Sequence, residues 1–395
     1  MPGPLDGVRV VDLTWALAGP YCTMILADLG AEVVKVELPG RGDGSRATSP
    51  LIKHLSAYFA SVNRNKQSIT LNLKAPRGKA LLRRLIAGAD VLVENFRRGT
   101  MADLGFDYEA VRAVNRRIVY ASISGFGQTG PYTTRPAYDV VAQAMAGTLS
   151  ITGEPGGPPI RCGFSIGDIG ASVFCAIAIL AALHEREQLG EGQRIDVAML
   201  DAQVALLENA FARYFATGQV PGPSRTRHPS TAPFQAFPSA DGYVVVAVST
   251  EAQWERFVRA LGQAAWLADP RFKDRTERTR QHAALEPLIS AVTRTRVTVA
   301  WLAALEAADV PCGPLNTIAQ AAADPQIEAR DMFATVERPG VGLVRLVNTP
   351  MKFSRTPAAV RAPSPELGQH TAEVLSRLAG VSPEEPEQLR REGVV

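Results

Sequence analysis

A glycine-punctuated loop carrying one aspartate, followed by a long apolar run, is the stretch of this sequence best suited to chemistry. Residues 158–186, PPIRCGFSIGDIGASVFCAIAILAALHER, read as a loop ending at Asp168 and a helix apolar on all sides from Ile169 to Leu183. Such a helix is predicted to be buried. Asp168 then meets the positive end of that helix, and Gly163, Gly167 and Gly170 leave the backbone approachable. Two roles fit these residues: a helix-capping carboxylate, or a carboxylate nucleophile that forms a covalent intermediate.

Other clusters suit ligand binding. Ala18-Gly19-Pro20 follows the first expected strand, at the end where open α/β sheets bind ligands, although Pro at a helix start after a glycine turn accounts for its form equally well. Asn63-Arg64-Asn65-Lys66 precedes a strand, and Glu94-Asn95-Phe96-Arg97-Arg98-Gly99 ends one. Their amides and guanidinium groups suit a ligand with phosphates and a purine, or form a solvated charged loop. The segment GFGQTGPY (125–132) and then Pro136-Ala137-Tyr138-Asp139 could approach a substrate closely, or simply turn.

Several familiar mechanisms lack their residues. There is no GxSxG elbow, no phosphate-binding GxxxxGK[ST] loop, and no GxGxxG after the first strand. The five His (54, 184, 228, 282 and 370) and the four Cys (22, 162, 175 and 312) show no ligand or disulfide spacing, so neither a metal site nor a disulfide framework is expected. Cys175, inside the apolar run, is expected to pack.

The elements that must position these residues follow an α/β rhythm. Strands are expected at 8–13, 32–37, 67–71, 91–94, 118–122 and 194–197, alternating with helices at 18–29, 76–87, 101–104 and 108–114. That is the pattern of a parallel sheet. A helix at 200–216 ends at a proline-rich break, GQVPGPSRTRHPSTAP, which reads as a linker. A hairpin around Asp241-Gly242 and three helices follow, then two strand-like runs, a second proline-rich stretch (350–365) and a last helix at 371–379. The expected organisation is a large domain from residues 1–217 and 326–395, a linker at 218–233, and a small α+β domain at 234–325.

Length and composition agree with this. A chain of 395 residues exceeds one ordinary core. With 46% hydrophobic and 21% charged residues it has a globular composition, and a formal charge of +3 is too small to imply nucleic acid. Residues 1–9 lack the basic start and apolar core of a secretory signal, and no uncharged apolar run reaches about 18 residues. A cytoplasmic protein without a membrane span is expected.

The residues resemble the family III CoA-transferases over nearly the whole chain. LDGVRVVDLTWALAGPYCTMILADLGAEVVKVE, NRNKQSITLNLKAPRGK, VENFRRGTMADLGF, SGFGQTGPY, RPAYDVVAQAMAG, GDIGASV, HPSTAPFQAF and LGQHT occur in family order. The resemblance implies an interlocked-ring homodimer, each chain with a Rossmann-like large domain built from both chain ends. It implies Asp168 as the nucleophile and no cofactor beyond the CoA esters themselves. For CoA it points to Ala18, Leu71, Leu73, Lys74, Asn95, Phe96, Arg97, Arg98 and Tyr138, and for the acceptor to Asp139. A second substrate carboxylate would need a cationic or hydroxyl-rich partner, for which Arg46 and the Arg225–His228 segment, His228 included, are candidates. Tyr138 stands where the related α-methylacyl-CoA racemase carries a His before its Asp, and a phenol with an ordinary pKa near 10 is a poor base for that reaction. Leu17 and Leu38 replace a glutamine and an arginine of the oxalate-specific enzymes. The blocks look closest to succinyl-CoA-dependent transferases acting on dicarboxylates; a racemase-like and a carnitine-type or monocarboxylate enzyme are the alternatives.

Overall fold

The computed structural model describes residues 2–382 and 384–395. The chain divides into two compact units. The first comprises residues up to Thr148, Arg161–Gln219 and Ala329–Val395; the second comprises Leu149–Ile160 and Val220–Glu328.

The first unit is built on six parallel strands. Across the sheet they run Lys66–Thr70, Glu32–Glu37, Arg9–Asp12, Val91–Glu94, Val119–Ser124 and Arg194–Ala198. Helices cover both faces, so the central strands bury both sides and read as continuous apolar runs: VVD, VVKV, VLVE and VYASI. One face packs on helix Pro76–Ala87 and on helix Thr371–Ala379, which is not the last as expected but is followed by Glu385–Arg391; the other packs on helices Ala18–Asp28 and Ile166–Leu189. The chain's end docks on the edge strand, which would otherwise present unpaired backbone. The Ser68 amide donates to His370 Nδ1 at 3.2 Å, and the Thr70 amide donates to Thr371 Oγ1 at 3.1 Å.

The second unit is α+β. Its antiparallel sheet pairs Tyr243–Ala247 with Phe234–Pro238 on one side and Cys312–Pro314 on the other. Helices close over a core that includes Phe237, Trp254, Phe257, Phe272, Ile289 and Trp301.

Three further expectations change. The proline-rich run is not a separate linker: from Val220 onward it belongs to the second unit, and so does 149–160. The cause is pairing between the two segments, because the Arg225 amide donates to the Gly153 carbonyl at 2.9 Å and its guanidinium pairs with Glu154. The expected helix at 200–216 is two helices, Met199–Leu206 and Glu208–Thr217, divided at Leu207 (φ −89°, ψ 21°). The apolar helix starts at Ile166, three residues earlier than expected, and it is not buried all round. Ala171, Cys175, Ile179 and Ala182 face the core, whereas Val173, Phe174 and Ile177 are exposed, Ile177 by 57%. By length and composition alone this helix could cross a membrane, but its inner face packs on helix Ala18–Asp28 and the sheet.

Candidate active site

The sheet order places a topological switch between strands Arg9–Asp12 and Val91–Glu94, where the chain leaves in opposite directions. Crevices of this kind are where open α/β sheets receive ligands. The two segments that leave them are clasped together: Asn95 Oδ1 accepts the Trp15 amide and Asn95 Nδ2 donates to the Trp15 carbonyl, both at 2.9 Å. Below the loop lies a wholly buried charge network. Lys66 Nζ sits 3.1 Å from Asp12 Oδ2, and Lys35 Nζ sits 3.0 Å from Asp43 Oδ2. Burial, with repulsion from Lys35, pulls Lys66 down to about 8 although Asp12 opposes it. Burial would raise Asp12, but Lys66 and Lys35 outweigh it and hold its carboxyl at about 2. Asp43 Oδ1 accepts the amide of Ala16, whose φ of 64° is left-handed, so the network fixes an otherwise costly turn.

Helix Ala18–Asp28 begins directly after this turn, and its start is tied to the start of helix Ile166–Leu189. Ser172 Oγ lies 2.6 Å from both the Ala18 and the Asp168 carbonyls, a bifurcated donation. Asp168 is the third residue of its helix rather than the cap; the cap is Ser165, with no side-chain bond. The capping role is thereby excluded, and the Asp168 carboxylate is left available.

Burial, and then the neighbouring Asp139 carboxylate, push Asp168 up to about 7. The helix N-terminus works in the opposite direction by favouring the anion. A half-buried carboxylate that ionises near neutrality keeps enough negative charge to attack a carbonyl and is poorly hydrated, which suits a nucleophile.

Asp139 opens helix Asp139–Ala146 and is itself buried. Its Oδ1 accepts the Gly167 amide at 2.8 Å, while Oδ2 accepts Gln143 Nε2 at 2.6 Å and faces Arg161 at 3.4 Å. Gly167 is required by close approach: a Cβ there would lie 2.7 Å from Gln203 Nε2 and 3.0 Å from Asp139 Oδ1. Tyr58, on helix Ala57–Val62, is raised to about 12 by burial and then by the carboxylates of Asp168, Asp43 and Asp139, so its phenol stays protonated within the field of Asp168. Sequence patterning gives no sign of Tyr58, since a tyrosine in a short helix carries no spacing signal.

A family model described as CoA-transferase family III matches residues 5–371. The chain belongs to that family. It is 41% identical over 382 residues, 95% of this chain and 96% of the relative, to succinate–glutarate CoA-transferase from Agrobacterium fabrum. It is also 41% identical over 353 residues, 89% of this chain and 90% of the relative, to acetyl-CoA:oxalate CoA-transferase from Acetobacter aceti. Among solved structures, a CAIB/BAIF family protein from Brucella suis superposes with a TM-score of 0.85 at 38% identity, covering 96% of this chain and all of that one.

Within this CoA-transferase the residues expected to contact substrate fall into distinct groups. Ala18, Tyr138 and Asp139 lie at helix starts: Ala18 shares the Ser172 tie with Asp168, and Tyr138, exposed by 71%, precedes the Asp139 that holds Gly167. Asn95, Phe96, Arg97 and Arg98 follow one strand end. Asn95 clasps Trp15, Phe96 rests partly on the core, and both arginines are exposed with no carboxylate partner among the described residues; Arg98 donates to Thr133 Oγ1 at 3.3 Å.

The remaining expected contacts lie in different surroundings. Leu71 is 2% exposed inside the core, so its side chain cannot touch CoA, and Leu73 also leans on that core. Lys74 alone of that segment is exposed, its amide donating to Asn72 Oδ1. Arg46 is engaged within the fold: Nε and Nη2 donate to Glu37 at 2.8 and 2.7 Å, Nη1 donates to the Pro365 carbonyl, and the guanidinium covers Phe59 at 3.8 Å. It is therefore not available for a substrate carboxylate. His228 lies in the second unit, where Nδ1 accepts the Ser230 amide and the ring leans on Phe234.

Proposed function

We propose that this enzyme moves CoA from succinyl-CoA to a dicarboxylate acceptor through intermediates on Asp168. The observation that supports this is a half-buried aspartate at a helix start, raised to about 7 and free of any ion pair among the described residues. An Asp168 oxygen attacks the thioester carbonyl, the C–S bond breaks, and a mixed anhydride and the CoA thiolate result. The thiolate then attacks the aspartyl carbonyl, releasing succinate and leaving an aspartyl-CoA thioester. An acceptor carboxylate attacks that thioester; the thiolate leaves, returns to the acceptor's acyl carbon, and Asp168 is regenerated. Every bond formed replaces one of similar kind, so the chain needs no metal or added cofactor. Amide N–H groups at the helix start suit the developing oxyanions.

The dicarboxylate assignment draws on the glutarate enzyme at 41% identity. The oxalate enzyme, equally similar, favours a second reading with a shorter acceptor. Both are tested by comparing kcat/KM for glutarate, oxalate and butyrate with succinyl-CoA and acetyl-CoA as donors, together with hydroxylamine trapping on Asp168. A buried carboxylate with no partner costs several kcal/mol, so a pocket made for diacids rejects butyrate, whereas one methylene more or less costs only about 1–3 kcal/mol. Butyrate matching glutarate would favour the monocarboxylate alternative.

A homodimer belongs to the same proposal. The outward face of the Asp168 helix carries Val173, Phe174 and Ile177, and helix Glu208–Thr217 buries none of its residues while exposing Phe215 by 77%. Apolar surface of this kind on a CoA-transferase is suited to a second copy of the chain. Light scattering after size-exclusion chromatography reads the mass directly, and a monomer at micromolar concentration would overturn it.

A further inference from the structure

The second unit contains a cavity of about 720 Å³ lined only by residues of that unit. This volume falls within the roughly 300–1,000 Å³ typical of small-molecule sites. One wall is helix His282–Thr293 with its C-terminal cap, from which His282, Glu286, Ser290 and Arg294 recur every fourth residue and so share a face.

The wall is built rather than incidental. Gln235 and His282 are polar, more than nine-tenths buried and bonded to each other: His282 Nε2 and Gln235 Oε1 are 2.5 Å apart. Gln235 Nε2 donates to Glu286 Oε1 at 3.1 Å, which leaves Gln235 Oε1 as the acceptor and assigns the proton to His282 Nε2. Glu286 is thus held, and Glu154 is paired with Arg225. Against these two carboxylates the lining sets three guanidinium groups, of Arg225, Arg227 and Arg294. Arg294 is exposed and pairs with no carboxylate among the described residues. Beside this cationic side lie Pro155, Pro238 and Tyr243, an apolar surface that a ring or short chain can cover.

We propose that this cavity is a second ligand site, for an organic anion whose carboxylate or phosphate head pairs with Arg294 and whose apolar body lies on Pro155, Pro238 and Tyr243. A planar guanidinium accepts either head in the same two-pronged geometry, so the head group is the one feature the walls do not choose.

Titration calorimetry on the full-length protein, with saturating CoA present to occupy the transfer site, tests this with hexanoate and with phenyl phosphate as probes. The expected result is one equivalent of at least one probe per chain, and the probe that binds identifies the head. Arg294→Gln is expected to weaken that binding about tenfold while leaving CoA transfer and the melting temperature unchanged. Absence of binding by both probes to the wild-type protein overturns the proposal, as does an affinity that Arg294→Gln leaves unaltered. The transfer assay is read separately, so its failure would not be mistaken for failure of the second site.

Discussion

The carboxylate of Asp139 holds the Gly167 amide at 2.8 Å, one residue before Asp168, and its charge also helps to keep the Asp168 carboxyl protonated up to about 7. One side chain therefore bears on both the position of Asp168 and, after burial, its ionisation. For kcat/KM of the free enzyme, activity is expected to rise with pH as Asp168 ionises around 7. Asp139→Asn keeps a hydrogen-bond acceptor for Gly167 but removes the charge, so the rising limb is expected to move to lower pH. Stopped assays between pH 5 and 9 read this; an unmoved limb with reduced kcat would mean that Asp139 acts through position alone.

The same ionisation predicts a pH-dependent stability. A carboxyl whose folded pKa lies above its unfolded value binds protons more tightly when folded, so stability falls as pH rises from the unfolded value toward the folded one. For Asp168 the window runs from 3.8 to about 7. Asp168→Asn, besides abolishing transfer, is expected to melt with wild type near pH 4. It should gain through that window and stay ahead above it by about 1–2 kcal/mol, an amount discounted for partial exposure. Calorimetric melts at pH 4, 6 and 8 read the difference, and equal melting at pH 8 would show that burial does not strain the ionised carboxylate.

Gly167→Ala tests the close approach. The new methyl would meet Gln203 and Asp139, and Gln203 is already bound to Thr148 Oγ1 at 2.6 Å. Overpacking of this kind typically costs about 1–3 kcal/mol. Transfer is expected to fall at least tenfold, since displacement of Asp139 moves the Asp168 backbone; wild-type activity in a folded Gly167→Ala protein would show that the contact relaxes freely.

Arg98→Ala tests the exposed guanidinium pair after strand Val91–Glu94. Loss of a charge-assisted bond to a phosphate costs about 1.5–3 kcal/mol. KM is expected to rise about tenfold or more for every CoA ester alike, with kcat little changed, because the CoA handle is common to all of them. An effect confined to one acceptor would place the CoA phosphates elsewhere.

Local pattern was enough to read the strand and helix rhythm of the first unit, because apolar runs such as VVKV and VLVE reflect constraints that act within a few residues. It was also enough to nominate Asp168 itself, since a carboxylate between glycines at the edge of an apolar run is unusual wherever the chain later goes. Tertiary structure alone decided what each side chain meets. Arg46 and Glu37 are near in sequence, yet a pattern of charges does not say whether a guanidinium meets solvent, substrate or a buried strand-end carboxylate. Leu71 follows directly on a strand end and could face ligand or core, and helices Pro76–Ala87 and Thr371–Ala379 make it core. Tyr58 reaches the field of Asp168 from a helix more than a hundred positions earlier, and residues 149–160 join the second unit through Arg225. Those relationships depend on long-range closure of the chain. Periodicity reports which face of an element is apolar; the partner on that face is set only when distant segments are brought together and the desolvated polar groups have to be paired.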